Sequence, residues 1–350
     1  MSIILFIAVL AVLILAHEFG HFIVAKKSGM RVDEFGIGFP PRLLKFKKGE
    51  TLYSINAIPF GGFVKIYGED GQDKKDPRSF SSKSISIRAA VITAGVFFNI
   101  LLAWFVISAG YMIGMPTSVG SAPIGSEIKD KNVVVLDVQK DSPAESAGLK
   151  SGDRLVDFDS TEAVQKFISE NNGREIEIKY QRGNEILSVK AVPRVNAPEG
   201  QGALGIMMDE VGIVALPWHR AIWEGLKTTY KLIVGIAVII FYFITDAVRG
   251  LTGLDQIMGP VGIVTVTGTV AKLGFAYVLN FMAILSINLA IINIIPFPAL
   301  DGGRLLFLLI EKIKGSPISP KVSSVTHGIG LFILLAIMIT ITYRDILRLI

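Results

Sequence analysis

Four long apolar segments constrain this chain more than any other feature of its sequence, because a helix that crosses a bilayer needs about 20 apolar residues. The segments cover residues 2–25, 89–115, 273–300 and 322–343. Glu18 is the only acidic or basic residue (Asp, Glu, Lys or Arg) within these four segments. Only 19% of the chain is charged, whereas an average soluble domain has about 25%. The sequence therefore predicts an α-helical polytopic membrane protein with four transmembrane helices.

Charge is distributed unevenly over the segments that connect these helices. Residues 26–88 hold 13 Lys and Arg against 7 Asp and Glu, whereas residues 117–218 hold 11 against 16. Short loops rich in Lys and Arg stay in the cytoplasm. We therefore expect residues 26–88 and the basic turn 311–321 inside, and residues 117–218 outside. Because the charges are segregated by region, the net charge of +5 indicates a membrane topology rather than a nucleic-acid partner.

Residues 232–245 form a shorter apolar segment, which lies between Lys231 and Asp246. Its 14 residues are few for a membrane span, and a fifth crossing here would place one basic loop on the outer side. We therefore interpret this segment as an interfacial or half-inserted helix. A compensating sixth crossing at residues 256–271 would restore the topology and is the alternative.

The outward segment reads as a small β-rich domain inserted between two membrane regions. Strand-like runs cover 133–138, 154–158, 174–180 and 185–192, and a helix-like run covers 161–171. The run SPAESAGLKSGD at 142–153 resembles the signature of bacterial, protease-associated PDZ domains, and residues 202–206 would form a strand that borders the peptide groove. We expect an N-terminal membrane region at 1–115, a PDZ-like domain at 116–212 and a C-terminal membrane region at 213–350. The alternative for the insert is a spacer fold that only restricts access to the membrane part.

His17, Glu18 and His21 form an HExxH motif inside the first apolar segment. On a helix, residues i and i+4 share one face, so both imidazoles can bind one metal ion. Glu18 can then act as the general base on a metal-activated water. Ionisable groups at membrane depth are costly and usually mark function. The pattern therefore indicates a metal site rather than two helix histidines satisfied by their neighbours.

A catalytic zinc needs three protein ligands, and the chain has no Cys, so the third ligand must be His, Asp or Glu. His219 and His327 are candidates, but both lie near the ends of spans. Asp301 is the better candidate because it directly follows the third apolar segment, where Pro296 and Pro298 break the helix. Irregular backbone at membrane depth is tolerated where it is buried in protein or lines a polar cavity. The alternative role of Asp301 is to cap the helix that follows it.

The motifs HEFGH at 17–21 and NIIPFPALDGG at 293–303 together resemble the site-2 protease family of intramembrane zinc metalloproteases. The resemblance runs over essentially the whole chain and is closest to the bacterial branch typified by the regulator-of-sigma-E protease. The best-known members of that branch carry two PDZ domains, whereas this chain has room for one. The resemblance implies one Zn²⁺ per chain, with His17, His21 and Asp301 as ligands and Glu18 as the catalytic base.

The resemblance also implies a set of residues that contact the substrate. They are Asn293, Pro296, Pro298, Gly61, Gly62 and Phe63. Asn293 would bind the substrate backbone, and a membrane-associated β-hairpin at residues 52–67 would add the substrate as a strand. Gly95 and Asn99 in the second span also match the family. Asn99 would form a hydrogen bond near the site, whereas a contact between helices at a small residue explains Gly95 equally well.

The sequence thus predicts hydrolysis of peptide bonds in or near the transmembrane segments of single-span proteins. By resemblance, these substrates are anti-sigma factors or signal-peptide remnants that another protease has already cut on the outside. The expected location is the bacterial cytoplasmic membrane, with the lipid bilayer and, at the PDZ-like groove, a substrate tail as partners. Three alternatives stay open: another HExxH membrane peptidase with a Glu third ligand, a non-catalytic PDZ-bearing membrane scaffold, and a transporter, which would need inverted repeats.

Overall fold

A computed structural model describes residues 2–71, 73, 75–183, 185–198, 201–251, 253 and 257–347, apart from the side chains of residues 59 and 60. The chain divides into two compact units. The membrane unit takes in the described parts of Met1–Ile107, Gly225–Ala271 and Val278–Ile350. The inserted unit takes in those of Ser108–Glu224 and Lys272–Tyr277.

Nine helices and eight strands lie within the described residues. The helices are α1 (Ser2–Lys27), α2 (Ile85–Ile113), α3 (Pro143–Ala147), α4 (Thr161–Glu170), α5 (Trp218–Val248), α6 (Pro260–Leu273), α7 (Phe275–Ile294), α8 (Asp301–Lys314) and α9 (Pro320–Leu347). The strands are β1 (Val32–Lys48), β2 (Thr51–Ile66), β3 (Met115–Ser118), β4 (Ile128–Val138), β5 (Arg154–Leu155), β6 (Ile176–Arg182), β7 (Glu185–Ala191) and β8 (Ile206–Val214). Helices α3 and α4 and strands β3 to β8 belong to the inserted unit.

Five helices among the described residues are long and apolar enough to cross a membrane, namely α1, α2, α5, α7 and α9. The prediction of several apolar membrane helices is confirmed. The predicted length of the segment at 232–245 is wrong, because α5 has 31 residues and continues through Lys231 and Asp246. Charged side chains can extend toward the membrane surface from inside an apolar helix, so these two residues do not mark helix ends. The alternative sixth crossing coincides with α6, which has 14 residues.

Strands β1 and β2 form an antiparallel sheet in which the first part of β1 has a partner on each side. Phe35 pairs with Tyr53 on one side and with Val64 on the other, so this part of β1 lies between the two halves of β2. The prediction of a self-contained hairpin at 52–67 is therefore wrong, because both halves pair with β1 and not with each other. The sequence pattern did not indicate β1, since glycines and prolines interrupt its alternation.

The inserted unit is built on a six-stranded sheet with the strand order β3-β8-β4-β5-β6-β7. Its buried core includes Val133, Val135, Leu155, Ile178 and Leu204. The predicted strands at 154–158 and 202–206 are wrong in extent, because β5 ends at Leu155 and β8 begins at Ile206. Gly205 has a φ of +72°, in the left-handed region, and therefore lies outside the extended strand.

The SPAESAGLKSGD run forms a capped helical turn within the inserted unit. Ser142 caps α3 by accepting a hydrogen bond from a helix N–H at 3.1 Å, and Pro143 takes the first helical position. Gly148 ends the helix with a φ of +88°. The buried Asp153 then accepts two hydrogen bonds of 2.7 Å from Arg182. The signature residues thus have local structural roles, and the PDZ-like identity of the unit stays a prediction.

Candidate metal centre

Helix α1 presents His17 and His21 on one face, as their spacing of four residues requires. The facing surface of α2 consists of Val91, Gly95 and Asn99, which are also spaced by four residues. The helices run antiparallel here, since His21 contacts Val91 and His17 contacts Asn99. One face of α2 therefore supports both imidazoles.

Gly95 leaves the space that the two imidazoles occupy. A Cβ at this position would lie 2.5 Å from Nε2 of His21 and 2.6 Å from Cε1 of His17. Non-bonded carbon atoms prefer separations of about 3.5–4.0 Å, so only glycine is compatible with this arrangement. Gly95 thus forms a cradle for the histidine pair.

Asp301 reaches the two histidines from the break between α7 and α8. Helix α7 ends at Ile294, earlier than the predicted apolar segment, because Pro296 and Pro298 cannot continue a helix. Ala299 has a φ of +79°, in the left-handed region, which costs an ordinary residue about 1–2 kcal/mol. Strain of this kind clusters at functional sites, where the surrounding structure holds it in place.

The three side chains converge on one point in the membrane unit. Nε2 of His17 lies 3.2 Å from Nε2 of His21, and Oδ2 of Asp301 lies 3.2 and 3.3 Å from these two nitrogens. Zinc bonds of about 2.0–2.2 Å at tetrahedral angles would space the ligand atoms about 3.3–3.6 Å apart. Among the described residues, this is the one group of three His, Asp or Glu side chains whose ligand atoms lie close enough to hold a metal ion.

The hydrogen-bond partners of these atoms also fit a metal ion. Oδ2 of Asp301 is buried, its nearest polar neighbours are the two histidine nitrogens at 3.2 and 3.3 Å, and no hydrogen bond of normal geometry reaches it from the described part of the chain. A buried carboxylate oxygen in that position needs a compensating cation. Nδ1 of His21 lies 2.8 Å from the carbonyl oxygen of Val91 and therefore donates to it, which leaves the lone pair on Nε2. Two imidazoles and a carboxylate, without sulfur, are a donor set typical of zinc hydrolases.

A cavity of about 350 Å³ lies beside this group. Glu18 lines the cavity together with the histidines, and so do Asn293 and the predicted substrate residues 61–63. Pro296 and Pro298 do not line it, and their observed effect is to end α7. The structure thus brings together all the predicted site residues except these two prolines.

Arg304 and Glu69 also line the cavity and form an ion pair, although neither was predicted from the sequence. Arg304 lies three residues after Asp301 on α8, and residues at this spacing are neighbours on a helix surface, so the spacing could have indicated Arg304. No sequence feature connects Glu69 with the site, because 235 residues separate it from Arg304. Neither His219 nor His327 belongs to the converging group, and His327 lines a second cavity of about 720 Å³.

Comparison with known proteins identifies the family. Residues 5–337 match Peptidase family M50. A Clostridium perfringens protein, whose name describes it provisionally as a zinc metalloprotease, is 35% identical over an alignment of 354 positions. The alignment covers 99% of both chains. The zinc metalloprotease RasP of Geobacillus kaustophilus is 30% identical, with 99% of this chain and 97% of RasP aligned. The regulator of sigma-E protease RseP of Escherichia coli is 30% identical, with 98% of each chain aligned. Since these matches extend over nearly its whole length, the chain belongs to peptidase family M50.

Proposed function

We propose that this protein is an intramembrane zinc metalloprotease of the site-2 type, with one Zn²⁺ per chain. The observation that carries the proposal is the convergence of His17, His21 and Asp301 at distances of 3.2–3.3 Å on the wall of a cavity. Two of these residues lie in α1, which is long and apolar enough to cross a membrane. The zinc metalloprotease names of the RasP relatives support zinc as the metal.

Glu18 is the catalytic base in this proposal. Zinc bound at the site supplies a Lewis acid that polarises a scissile carbonyl and makes a water molecule more acidic. The Glu18 carboxylate accepts a proton from the attacking water and passes it to the leaving amine nitrogen. Glu18 lines the same cavity as the three ligands, so the base and the metal site face the same reacting group.

The substrate must be extended before it is cut, because a transmembrane helix hides its peptide groups in its own hydrogen bonds. Residues 62–66 of β2 pair with β1 on one side, and no strand of the described chain pairs with their other side. Gly61, Gly62 and Phe63 also line the cavity, so we expect the substrate to bind here as an added strand. Asn293 lines the same cavity and offers an amide donor and acceptor to the substrate backbone.

Hydrolysis within a membrane also requires a route for water. The second cavity, of about 720 Å³, shares Glu69 and Arg304 with the site cavity and is lined by further charged residues. We infer that water enters through this second cavity. Many of its lining residues come from the basic segment 26–88, which supports an entrance on the cytoplasmic side.

The relatives and the charge distribution support a substrate class and an orientation for this proposal. One relative is named a regulator of sigma-E protease, which supports membrane-bound anti-sigma factors as substrates. We extend the proposal to other single-span proteins that have lost their outer domain and to signal-peptide remnants. The inserted unit would face away from the cytoplasm and bind a substrate tail or restrict access by size. The location in this proposal is the bacterial cytoplasmic membrane.

The experiment that tests this function compares the wild type with Glu18→Gln in proteoliposomes that contain a single-span substrate. The substitution keeps the ligands but removes the base. Zinc should therefore stay at one ion per chain while cleavage falls by about 10²–10⁴-fold. Undiminished, chelator-insensitive cleavage by the variant would overturn the proposal. If the protein were a non-catalytic scaffold, the wild type would bind no zinc. If it were a peptidase with a Glu as third ligand, Asp301→Ala would keep its zinc.

A further inference from the structure

Asn99 in α2 has a side-chain amide that helix packing does not explain. The residue is fully buried, and its Nδ2 lies 3.3 Å from Nδ1 of His17. The oxygen of the same amide, Oδ1, is buried without a hydrogen-bond partner in the described structure. Buried side-chain oxygens in folded proteins nearly always have a donor. The orientation of this amide therefore bears on the proton position of His17.

With Nδ2 toward His17, the amide donates a hydrogen bond to Nδ1, and the imidazole proton must lie on Nε2. Nε2 of His17 is 3.2 Å from Oδ2 of Asp301 and 3.2 Å from Nε2 of His21. In this tautomer the Nε2 proton lies in the space between these three side chains. A metal ion needs the lone pair of Nε2, so this tautomer cannot bind it.

Exchanging the oxygen and nitrogen of the amide reverses this arrangement. Such an exchange leaves the shape of the side chain unchanged, and it is assigned from the hydrogen bonds alone. Oδ1 then accepts a hydrogen bond from Nδ1–H of His17, and the Nε2 lone pair faces His21 and Asp301. The same exchange gives the buried oxygen a donor, and the amide nitrogen then takes the position for which the described structure shows no partner.

We propose that Asn99 is a positioning residue of the metal centre, whose amide oxygen selects the metal-binding tautomer of His17 and holds its ring in place. This inference rests on the proposed zinc site and adds a supporting residue to it. Hydrogen-bond partners of this kind are general for metal-binding histidines, because they fix both the tautomer and the ring orientation.

His21 meets the same requirement through a different group. Its Nδ1 lies 2.8 Å from the carbonyl oxygen of Val91, which can only accept a hydrogen bond. The proton of His21 is therefore on Nδ1, and its Nε2 is free for metal. Val91 and Asn99 lie two turns apart on α2, so one helix face supplies the acceptors for both ligands.

A contact with α7 keeps the backbone of Asn99 in place. Oγ of Ser286 donates a hydrogen bond of 2.8 Å to the carbonyl oxygen of Asn99, and both residues are fully buried. Asn99→Leu keeps the approximate size of the side chain and this backbone contact, but removes the acceptor for His17. Asn99→Asp keeps the acceptor and removes the amide donor.

The first test measures the zinc affinity of the full-length protein by competition with a chelator of known affinity. Loss of a ligand's supporting hydrogen bond weakens metal binding by about 10- to 100-fold. We expect that loss for Asn99→Leu, and we expect Asn99→Asp to restore most of the affinity. Asn288→Leu is the matched control, because the amide of Asn288, within the part of the chain that the structure describes, donates to the carbonyl oxygen of Ile284 in the same helix and not to a histidine. Equal losses for Asn99→Leu and Asn99→Asp would show that the acceptor oxygen is not what supports zinc binding and would overturn the proposal.

The second test needs no variant and therefore keeps the proposal falsifiable even if Asn99→Leu does not fold. The chain has four histidines, so ring-nitrogen NMR of histidine-labelled protein can assign the proton of each ring. Zinc should move the proton of His17 from Nε2 to Nδ1. A His17 that binds zinc through Nδ1, or wild-type affinity in Asn99→Leu, would overturn the role of Asn99. A wild-type protein that binds no zinc would instead overturn the proposed zinc site, and the inference with it.

Discussion

Gly95→Ala tests whether the metal centre depends on the close approach of α1 and α2. The added methyl carbon would lie 2.5 Å from Nε2 of His21. It would also lie 2.6 and 2.8 Å from Cε1 and Nδ1 of His17. Ordinary contacts of a Cβ atom begin at 3.4 Å, so the imidazoles or the two helices must separate by about 1 Å.

A displacement of this size exceeds what a metal site tolerates. Metal ligands are expected within about 0.2 Å of their normal bond lengths. A misplacement of about 1 Å lowers an enzymatic rate by about 100-fold. Asp301 comes from α8, and the three atoms nearest to the added methyl group belong to the histidines, so the ligand distances of 3.2–3.3 Å would widen unequally. We therefore expect weaker zinc binding and a loss of about 100-fold in kcat/KM.

The assay combines zinc content after equilibration with buffered zinc and cleavage of a single-span substrate in proteoliposomes. The matched control is Gly235→Ala in α5, where an added Cβ meets no atom within 4 Å. Alanine is favoured over glycine in a helix by about 0.5–1 kcal/mol, so the control should be neutral or slightly stabilising. Full zinc content and wild-type kcat/KM in Gly95→Ala would refute the claim that the metal centre requires glycine at this position.

Three other perturbations have expected outcomes. Asp301→Ala removes one of three ligands, so the purified protein should lose its zinc in mild chelator that the wild type withstands. Arg182→Ala leaves Asp153, whose side chain is 1% exposed, without two hydrogen bonds of 2.7 Å. It should lower the unfolding free energy of the inserted unit by about 2–3 kcal/mol, measured by hydrogen exchange in the full-length protein. Burial alone would raise the pKa of Glu34, but hydrogen bonds from Arg42 and a nearby serine hydroxyl outweigh it and lower that pKa below the ordinary value of 4.5. The charged carboxylate therefore stabilises the β1–β2 sheet at pH values above 4.5, and this stabilisation is lost as the pH falls below the lowered pKa. Glu34→Gln should therefore reduce the acid sensitivity of hydrogen exchange in this sheet.

Matched controls separate these effects from general damage. Lys166→Ala removes an exposed ion pair of 3.9 Å and should cost at most about 0.5 kcal/mol. Glu175→Gln alters an exposed carboxylate and should leave the acid response of the β1–β2 sheet unchanged. Retained zinc in Asp301→Ala would contradict its role as a ligand. An inserted unit that is as stable in Arg182→Ala as in Lys166→Ala would contradict the role of the Asp153–Arg182 pair. Unchanged acid sensitivity in Glu34→Gln would contradict the role of the Glu34 carboxylate in the β1–β2 sheet.

The residues of the converging group could be predicted because each carries a local signal. The spacing of His17 and His21 places them on one helix face whatever surrounds the helix. Pro296 and Pro298 indicated a break in α7, and Asp301 was the first acidic residue after it. These signals act over a few residues, and the structure brings the three ligand atoms within 3.3 Å of one another.

Other parts depended on long-range contacts that local patterns do not encode. The two-sided pairing of β1 joins residues near 35 to partners near 53 and 64, and no turn motif specifies it. The length of α5 was underestimated because charged residues inside an apolar helix resemble its ends. The ion pair of Glu69 and Arg304 could not be predicted, since only the packing of β2 and α8 brings these residues together.

Mapping the cut bond tests most directly whether this protein hydrolyses peptide bonds within the membrane at a zinc site. The measurement is mass spectrometry of the fragments of a single-span substrate, cleaved in proteoliposomes in ¹⁸O-labelled water by zinc-loaded and metal-free protein. We predict a cut inside the apolar segment of the substrate, one labelled oxygen in the new carboxyl terminus, and no cut by the metal-free protein. Cleavage confined to the soluble tails, or the same cut without zinc, would contradict the proposed function.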